Sequence, residues 1–353
     1  MSDKNDQGLF AHIPMKWLGP LRISGNVAEG EVEVPLATYE TTLFPSVKRG
    51  ATVSRLVEGG IRTTLVDERM TRSILFQADS AAQAHEAAKR VCADLPVLQE
   101  VVSSTSRFAR LIDVAPEIVG NLLYLRLEFL TGDAAGHNMV TLAADALMPH
   151  IASREPALRY ASISGNYCTD KKPSAVNGIR GRGKNVVAEI TLPEEVLRRR
   201  LRTSAERMVD LNVRKNLVGG IAAGSLRSAN AHYANMLLGF YLATGQDAAN
   251  IVEGSQGITH LERRGAHGED LYFSCTIPHL IVGSVGNGKG LEFVSENLAR
   301  LGCREEREPG ENARRLAGLA AATVLCGELS LMAAQTNPGE LMAAHVQFER
   351  SSR

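Results

Sequence analysis

Arg72–Ala78 (RSILFQA), Ala81–Asp94 (AAQAHEAAKRVCAD), Arg107–Val114 (RFARLIDV), Leu122–Leu130 (LLYLRLEFL), Asn138–Ile151 (NMVTLAADALMPHI) and Leu158–Ser164 (LRYASIS) decide the fold. The first has strand composition, and Asp79-Ser80 behind it is a capping pair for the alanine- and charge-rich helix that follows. Pro96 interrupts or restarts that helix. Arg107–Val114 and Leu122–Leu130 alternate as strands do, and Gly120-Asn121 between them is a turn, so they form a hairpin. Asn138–Ile151 has helical spacing of apolar residues, and a short strand closes the unit. The order β-α-β-β-α-β is the split-βαβ, ferredoxin-like pattern. Such a unit has neighbouring ends and can sit as an insertion in a larger domain.

Working outward, the expected fold class is α+β: a helix-rich large domain with an inserted ferredoxin-like small domain. Residues 1–72 form the N-terminal segment and first part of the large domain, 73–163 the small domain, and 164–353 its exit loop and the remainder. Helix-rich segments there include Pro193–Met208, Ser228–Thr244, Leu291–Leu301 and Asn312–Ala334. The 353 residues carry 39 Lys+Arg against 39 Asp+Glu, which argues against a broad basic footprint for nucleic acid. Five cysteines without CxxC or His/Cys metal spacing argue against a metal site. Their odd number and the polar Met1–Gln7, read as a frayed tail, point to a reducing cytoplasm. Leu316–Cys326 lacks charges but is too short to span a bilayer, so it reads as a buried helix.

The densest polar run, Ser164–Pro173 (SGNYCTDKKP), leaves the last strand of the inserted unit. A lysine beside an aspartate there can hold a developing oxyanion, although a solvated loop with a weak ion pair has the same composition. Gly283–Gly290 fits GxxxxGK but has Gly290 where Ser or Thr must bind magnesium, which argues against a P-loop. It reads more simply as a turn before the Leu291 helix. No GxGxxG follows a strand, and GxSxG and HExxH are absent. Glu40, Asp247 and His345 stand within apolar, helix-like segments, where a charge is either functional or at a helix end.

GNYCTDKKPSAVNGIRGRGK (Gly165–Lys184) resembles the cis-loop segment of 3-hydroxy-3-methylglutaryl-coenzyme A reductases, in the class that includes the eukaryotic and archaeal enzymes. DERMTR (Asp67–Arg72), STSRFARL (Ser104–Leu111), TGDAAGHNMV (Thr131–Val140), RKNLVGG (Arg214–Gly220), NAHYANM (Asn230–Met236) and GQDAAN (Gly245–Asn250) follow in family order. SCTIP (Ser274–Pro278), GENARRLAGL (Gly310–Leu319) and GELSLMAA (Gly327–Ala334) complete the set, so the resemblance covers the chain from about Ile13. It implies catalytic roles for Glu40, Lys171, Asp247 and His345. It implies substrate contacts at Arg72, Ser164, Asp170, Lys172, Lys215 and Asn235, and coenzyme A contacts at Arg49 and His232. NADP(H) would be bound by Ser106, Arg107, Asp133 and Asn138 in the small domain, with NADH left open and no metal. The implied reaction is a double hydride reduction of HMG-CoA to mevalonate, with Asp247 bridging Glu40 and Lys171 and a C-terminal segment carrying His345 closing over the site. The resemblance further implies a homodimer or homotetramer with active sites between subunits, acting on neither nucleic acid nor membrane.

Several positions depart from the family pattern. DAMGMN is DAAGHN here, with Ala135 and His137 substituted; Arg107 nonetheless favours a nucleotide 2′-phosphate. Pro45 follows Glu40-Thr41-Thr42-Leu43, so the next helix should start later or kink. The N-terminal dimer motif is replaced by Gly8-Leu9-Phe10-Ala11-His12, and Lys16 and Trp17 stand where they could alter the dimer contact or the path of the acyl-CoA. Two other readings stay open: a reductase of this fold acting on a different branched acyl-CoA, or a coenzyme A-binding protein without turnover.

Overall fold

The computed structural model describes residues 11–350; the expected tail Met1–Gln7 and the segment Gly8–Phe10 lie outside the described residues. The chain opens with β1 (Met15–Gly25), β2 (Gly30–Ala37), α1 (Leu43–Ser54) and the long β3 (Ile61–Gln77). Then come α2 (Ala81–Ala93), α3 (Leu95–Ser103), β4 (Arg110–Val119), β5 (Leu122–Leu130), α4 (His137–Arg154) and β6 (Arg159–Ser162). After the exit loop follow α5 (Ala175–Arg180), β7 (Gly183–Leu192), α6 (Glu194–Val196), α7 (Ala205–Leu211), α8 (Gly220–Ala222), α9 (Tyr233–Ala243), α10 (Ile251–Gly254), β8 (Ile258–Arg264) and β9 (Asp270–Leu280). The chain closes with α11 (Glu292–Arg300), α12 (Glu311–Gln335) and α13 (Glu340–His345).

The fold is mixed α+β, and β3 is its spine. The first half of β3 lies in a sheet of order β2-β1-β3-β7-β9-β8, with β1–β3 the parallel pair. The second half, Met70–Gln77, pairs antiparallel with β5 on one side and β6 on the other, and β4 pairs onto β5. Two apolar clusters flank this strand. One surrounds α12 and the first sheet; the other is built from β3, β4, β5 and α2 to α4. Burying each Leu or Phe in them contributes roughly 1.5–3 kcal/mol.

Several elements differ from expectation for identifiable reasons. β3 begins at Ile61 and not near Arg72, because the charged residues Asp67, Glu68 and Arg69 are paired within the fold: Arg69 with Asp67 and Glu128, Glu68 with Arg314. β4 starts at Arg110 and runs through Pro116 to Val119; it pairs only with β5, so the missing proline N–H on an edge strand costs little. The expected helix Pro193–Met208 breaks at Arg202, whose φ is 56°, and restarts when Ser204 accepts the Arg207 N–H. Pro45 neither delays nor kinks α1: it falls in the first turn, where the first helical bond is Ser46 N–H to the Thr42 carbonyl at 3.3 Å. Trp17 lies half-buried on β1, its ring 3.8 Å from the Arg300 guanidinium.

The apolar stretch Leu316–Cys326 is the middle of a longer helix than its charge-free run suggests. α12 is long and apolar enough to cross a membrane, yet 94% of its apolar window is buried against the rest of the chain. α1 crosses it at Gly50, where a Cβ would sit 2.2 Å from the Cys326 carbonyl oxygen. Gly50→Ala must force these helices apart and should lower unfolding free energy by roughly 1–3 kcal/mol in denaturant titration. Gly290→Ala, whose Cβ meets nothing within 4 Å, should stay within about 0.5 kcal/mol of wild type.

Candidate active site

The loop between β6 and α5 holds three non-glycine residues in the left-handed region: Asn166 (φ 59°), Thr169 (φ 46°) and Lys171 (φ 54°). Such conformations persist only where the surroundings fix them. Here buried polar groups do so. Arg182, 1% exposed, donates to the Thr71 carbonyl at 2.9 Å and hydroxyl at 2.7 Å, and to Asp170 Oδ1 at 2.6 Å. Its Nε faces Glu253 Oε1 at 3.6 Å, and the same oxygen accepts the Lys171 N–H at 3.1 Å and Asn250 Nδ2 at 2.9 Å. Asn177 Nδ2 donates to the Thr169 carbonyl at 3.2 Å, while Arg126 reaches the Tyr167 carbonyl at 3.2 Å. Burial pulls the Arg126 guanidinium below its ordinary range, and the Glu128 carboxylate 3.0 Å away opposes that.

This scaffold carries the Lys171 ammonium to Asp247 Oδ2, 2.6 Å away. Asp247 precedes a short helical turn and accepts the Ala249 N–H at 3.1 Å, the role of a helix-end charge. Burial alone would raise the Asp247 carboxyl, but the Lys171 ammonium and the Ala249 N–H hold it below its ordinary value. Lys171 is raised by its bond to Asp247. Asp170 is likewise held far down: burial opposes ionisation, but His137, Arg182 and Lys171 overcome it. His137, one of the departures from the family pattern, places Nε2 3.6 Å from Asp170 Oδ1.

A second group of expected residues lines a separate open cleft of about 930 Å³: Glu40, Arg49, His232, Asn235 and His345. Glu40 stands in the loop ahead of α1, within 3.5 Å of the Thr42 hydroxyl. His232 begins α9, where buried Glu328 accepts the Ala231 and His232 N–H groups at 2.6 and 3.0 Å. Burial pulls Lys215 below its ordinary range, with Glu328 opposing. Arg49 pairs with Glu340 of α13 at 2.7 Å. Asp247 reaches Lys171, whereas among the described residues no hydrogen bond or ion pair links Glu40 to either of them within the chain, so the expected bridge by Asp247 is not formed here.

The other expected residues lie around the first group or on the small-unit turns. Arg72 Nε donates to the Ile163 carbonyl at 3.2 Å, Ser164 N–H to the Ser162 hydroxyl at 3.1 Å, and Lys172 Nζ to the Asp170 carbonyl at 3.0 Å. Ser106 Oγ accepts the Phe108 N–H, and exposed Arg107 lies 4.7 Å over the Phe108 ring without an ion-pair partner among the described residues. Asp133 Oδ1 accepts the Ala313 N–H at 2.9 Å, and Asn138 is exposed on the first turn of α4. Among the described residues no group of three His, Cys, Asp or Glu side chains could hold a metal.

Sequence reading missed Arg182, Glu253 and Glu328; for Arg182 and Glu328 a charge inside the motifs GIRGRGK and GELSLMAA was the available signal, whereas Glu253 lies outside the motifs. The turn Gly283–Gly290 is also more than a connection, since Lys289 within it is buried. Because Asp170 is depressed in the folded state, its contribution to stability is present at neutral pH and lost as pH falls below the ordinary carboxylate range. Asp170→Asn should therefore melt below wild type at pH 7, the difference closing in acid.

The family profile described as hydroxymethylglutaryl-coenzyme A reductase matches residues 10–350. The chain is 48% identical over 325 residues to the 3-hydroxy-3-methylglutaryl-coenzyme A reductase of Pyrococcus abyssi, covering 91% of this chain and 78% of that one. It is 40% identical over 347 residues to the same-named protein of Strongylocentrotus purpuratus, covering 97% of this chain and 37% of that one. Its fold is similar, at TM-score 0.74 and 19% identity, to the class II 3-hydroxy-3-methylglutaryl-CoA reductase from Streptococcus pneumoniae bound to NADPH, covering 95% of this chain and 88% of that one. With the Lys171–Asp247 pair and the Glu40–His345 cleft in place, the chain belongs to the hydroxymethylglutaryl-coenzyme A reductase family, and it is an oxidoreductase.

Proposed function

We propose that the protein reduces 3-hydroxy-3-methylglutaryl-CoA with NADPH, in two steps, to mevalonate and free coenzyme A. The observation that carries this reading is the ammonium of Lys171 held at 2.6 Å from Asp247 on a loop fixed from beneath. A preorganised cation of this kind stabilises negative charge as it develops on a carbonyl oxygen. His345, lining the cleft with Arg49 and His232, would protonate the departing coenzyme A thiolate. Glu40 would supply a proton to the oxygen in the second reduction, and Lys172, Lys215, Arg72, Ser164 and Asn235 would hold the carboxylate end of the substrate, with Asp170 steadying the loop.

Residues 73–163 form, in this reading, a ferredoxin-like unit that carries the nucleotide. Its order β6-β3-β5-β4 and its own apolar cluster support that assignment. NADPH supplies the hydride when bound. Exposed Arg107, with no carboxylate partner among the described residues, fits a 2′-phosphate, and the Ser106 hydroxyl and Asn138 amide fit the remaining polar groups. Asp133, which ties this unit to α12, fixes the turn on which Asn138 stands.

Among the described residues Lys171 and Asp247 do not line the cleft that holds Glu40 and His345, so in this reading the complete site would form between subunits, in a dimer or higher assembly. The exposed apolar side chains Val213, Leu217, Val218 and Ile221, beside Lys215, support this. The free cysteines fit a reducing cytoplasm.

Lys171→Met should lower the rate of NADPH oxidation with HMG-CoA by roughly 10³-fold or more while leaving the melting transition in place. A Lys171→Met rate equal to wild type, or wild-type turnover of another branched acyl-CoA with none of HMG-CoA, would remove this reading. Arg107→Ala should raise KM for NADPH by roughly 10- to 100-fold and leave KM for NADH nearly unchanged, measured by nicotinamide absorbance.

A further inference from the structure

The turn Gly283–Gly290 resembles a phosphate loop in sequence and takes no part in the site described above. Its Lys289 side chain is 6% exposed. The ammonium donates to the Gly245 carbonyl and lies 3.4 Å from the Asn287 carbonyl, and among the described residues it forms no ion pair. Arg304 holds the Lys289 carbonyl at 2.6 Å. The two turns touch closely: Gly245, at φ 63°, has room for no side chain, since a Cβ there would lie 2.7 Å from the Gly288 carbonyl oxygen. Gly245 stands two residues ahead of Asp247, and Gln246 between them bonds the Gly283 N–H at 2.9 Å and carbonyl at 3.1 Å.

We propose that Lys289 is a positioning residue for the reductase reaction: its buried ammonium pins the Gly245–Asp247 turn and keeps Asp247 a charged partner for Lys171. The proposal rests on the reading of Lys171 and Asp247 given above. The charged groups facing this arrangement are Asp247 on the Gly245 turn, Arg304 on the far side of the Lys289 backbone, and, beyond Asp247, Lys171 of the exit loop and His137 of α4. Burial pushes the Lys289 ammonium down to about 8, with the Asp247 carboxylate opposing. Between that value and the ordinary lysine range the folded state binds fewer protons at Lys289 than the unfolded chain does. Its contribution to stability therefore rises with pH there, while the charge that holds Asp247 is lost. Activity should fall above pH about 8 without loss of fold.

The test is a set of pH–rate profiles and melting curves for wild type, Lys289→Met and Lys289→Arg, with a substrate-free ¹³C titration of the Asp247 carboxyl, assigned through Asp247→Asn. Lys289→Met should lose roughly 10- to 100-fold in kcat with KM for NADPH unchanged, and its limb near pH 8 should disappear. Lys289→Arg, which keeps its charge, should restore kcat and carry the limb upward, and this profile decides the matter if Lys289→Met does not fold. The Asp247 carboxyl should titrate higher in Lys289→Met. A limb that stays in place in Lys289→Arg, or an Asp247 titration unmoved in Lys289→Met, overturns the proposal. Failure of the wild type to turn over any acyl-CoA would overturn the reductase reading instead, and the Asp247 titration would still judge Lys289.

Discussion

The guanidinium of Arg182 is the constraint on which the candidate site depends. It is buried beneath the exit loop and joins the Thr71 backbone of β3, Asp170 of the loop and Glu253 of α10. An unpaired charge at such depth would cost several kcal/mol, so each partner fixes the others. Glu253 in turn accepts the backbone N–H of Lys171. A lysine in a left-handed conformation on an exposed loop would otherwise sample many positions, and the Lys171–Asp247 pair alone, with both side chains more than a third exposed, is worth about 1 kcal/mol or less. The ion pair does not hold the loop; the buried network holds the loop, and the ion pair results.

The same logic applies across the molecule. Glu328 lies within the apolar α12, yet its carboxylate caps the start of α9 and accepts the Thr259 hydroxyl at 2.9 Å. One helix thus builds the core and sets His232 and Asn235 at the edge of the cleft. At its other end α12 receives Asp133 on the Ala313 N–H, which ties the turn before α4 to the core. The α13 segment carrying His345 is attached by Glu340 to Arg49 and Arg202, both of which line the cleft.

Local patterns in the sequence predicted local structure well. β5 coincides with Leu122–Leu130 because strict alternation and a Gly-Asn turn bound it, and Ser80 caps α2 as its side chain suggests. What remained hidden depends on partners distant in sequence. The first half of β3 carries Asp67, Glu68 and Arg69, and what settles them in a strand is Arg69 meeting Glu128 and Glu68 meeting Arg314. The start of α9 is set by Glu328, and Ser228–His232 consequently lies outside the helix. Lys171 and Asp247 were expected together and meet in the fold, whereas the separate placement of Glu40 and His345 could not be read from spacing. Lys289 has no side-chain signature in the sequence, because its partner is a backbone carbonyl 44 residues away.

Because Lys171 and Asp247 do not line the cleft of Glu40 and His345 within one chain, subunit complementation tests whether the two groups meet across subunits. Glu40→Gln and Lys171→Met, each inactive alone, are co-expressed with different tags, and the doubly purified assembly is assayed for NADPH oxidation with HMG-CoA. If each site takes its ammonium from one chain and its glutamate from the other, a mixed dimer contains one intact site and one doubly damaged site. It should then regain roughly half the wild-type rate. A doubly tagged assembly that forms and stays inactive would contradict the account.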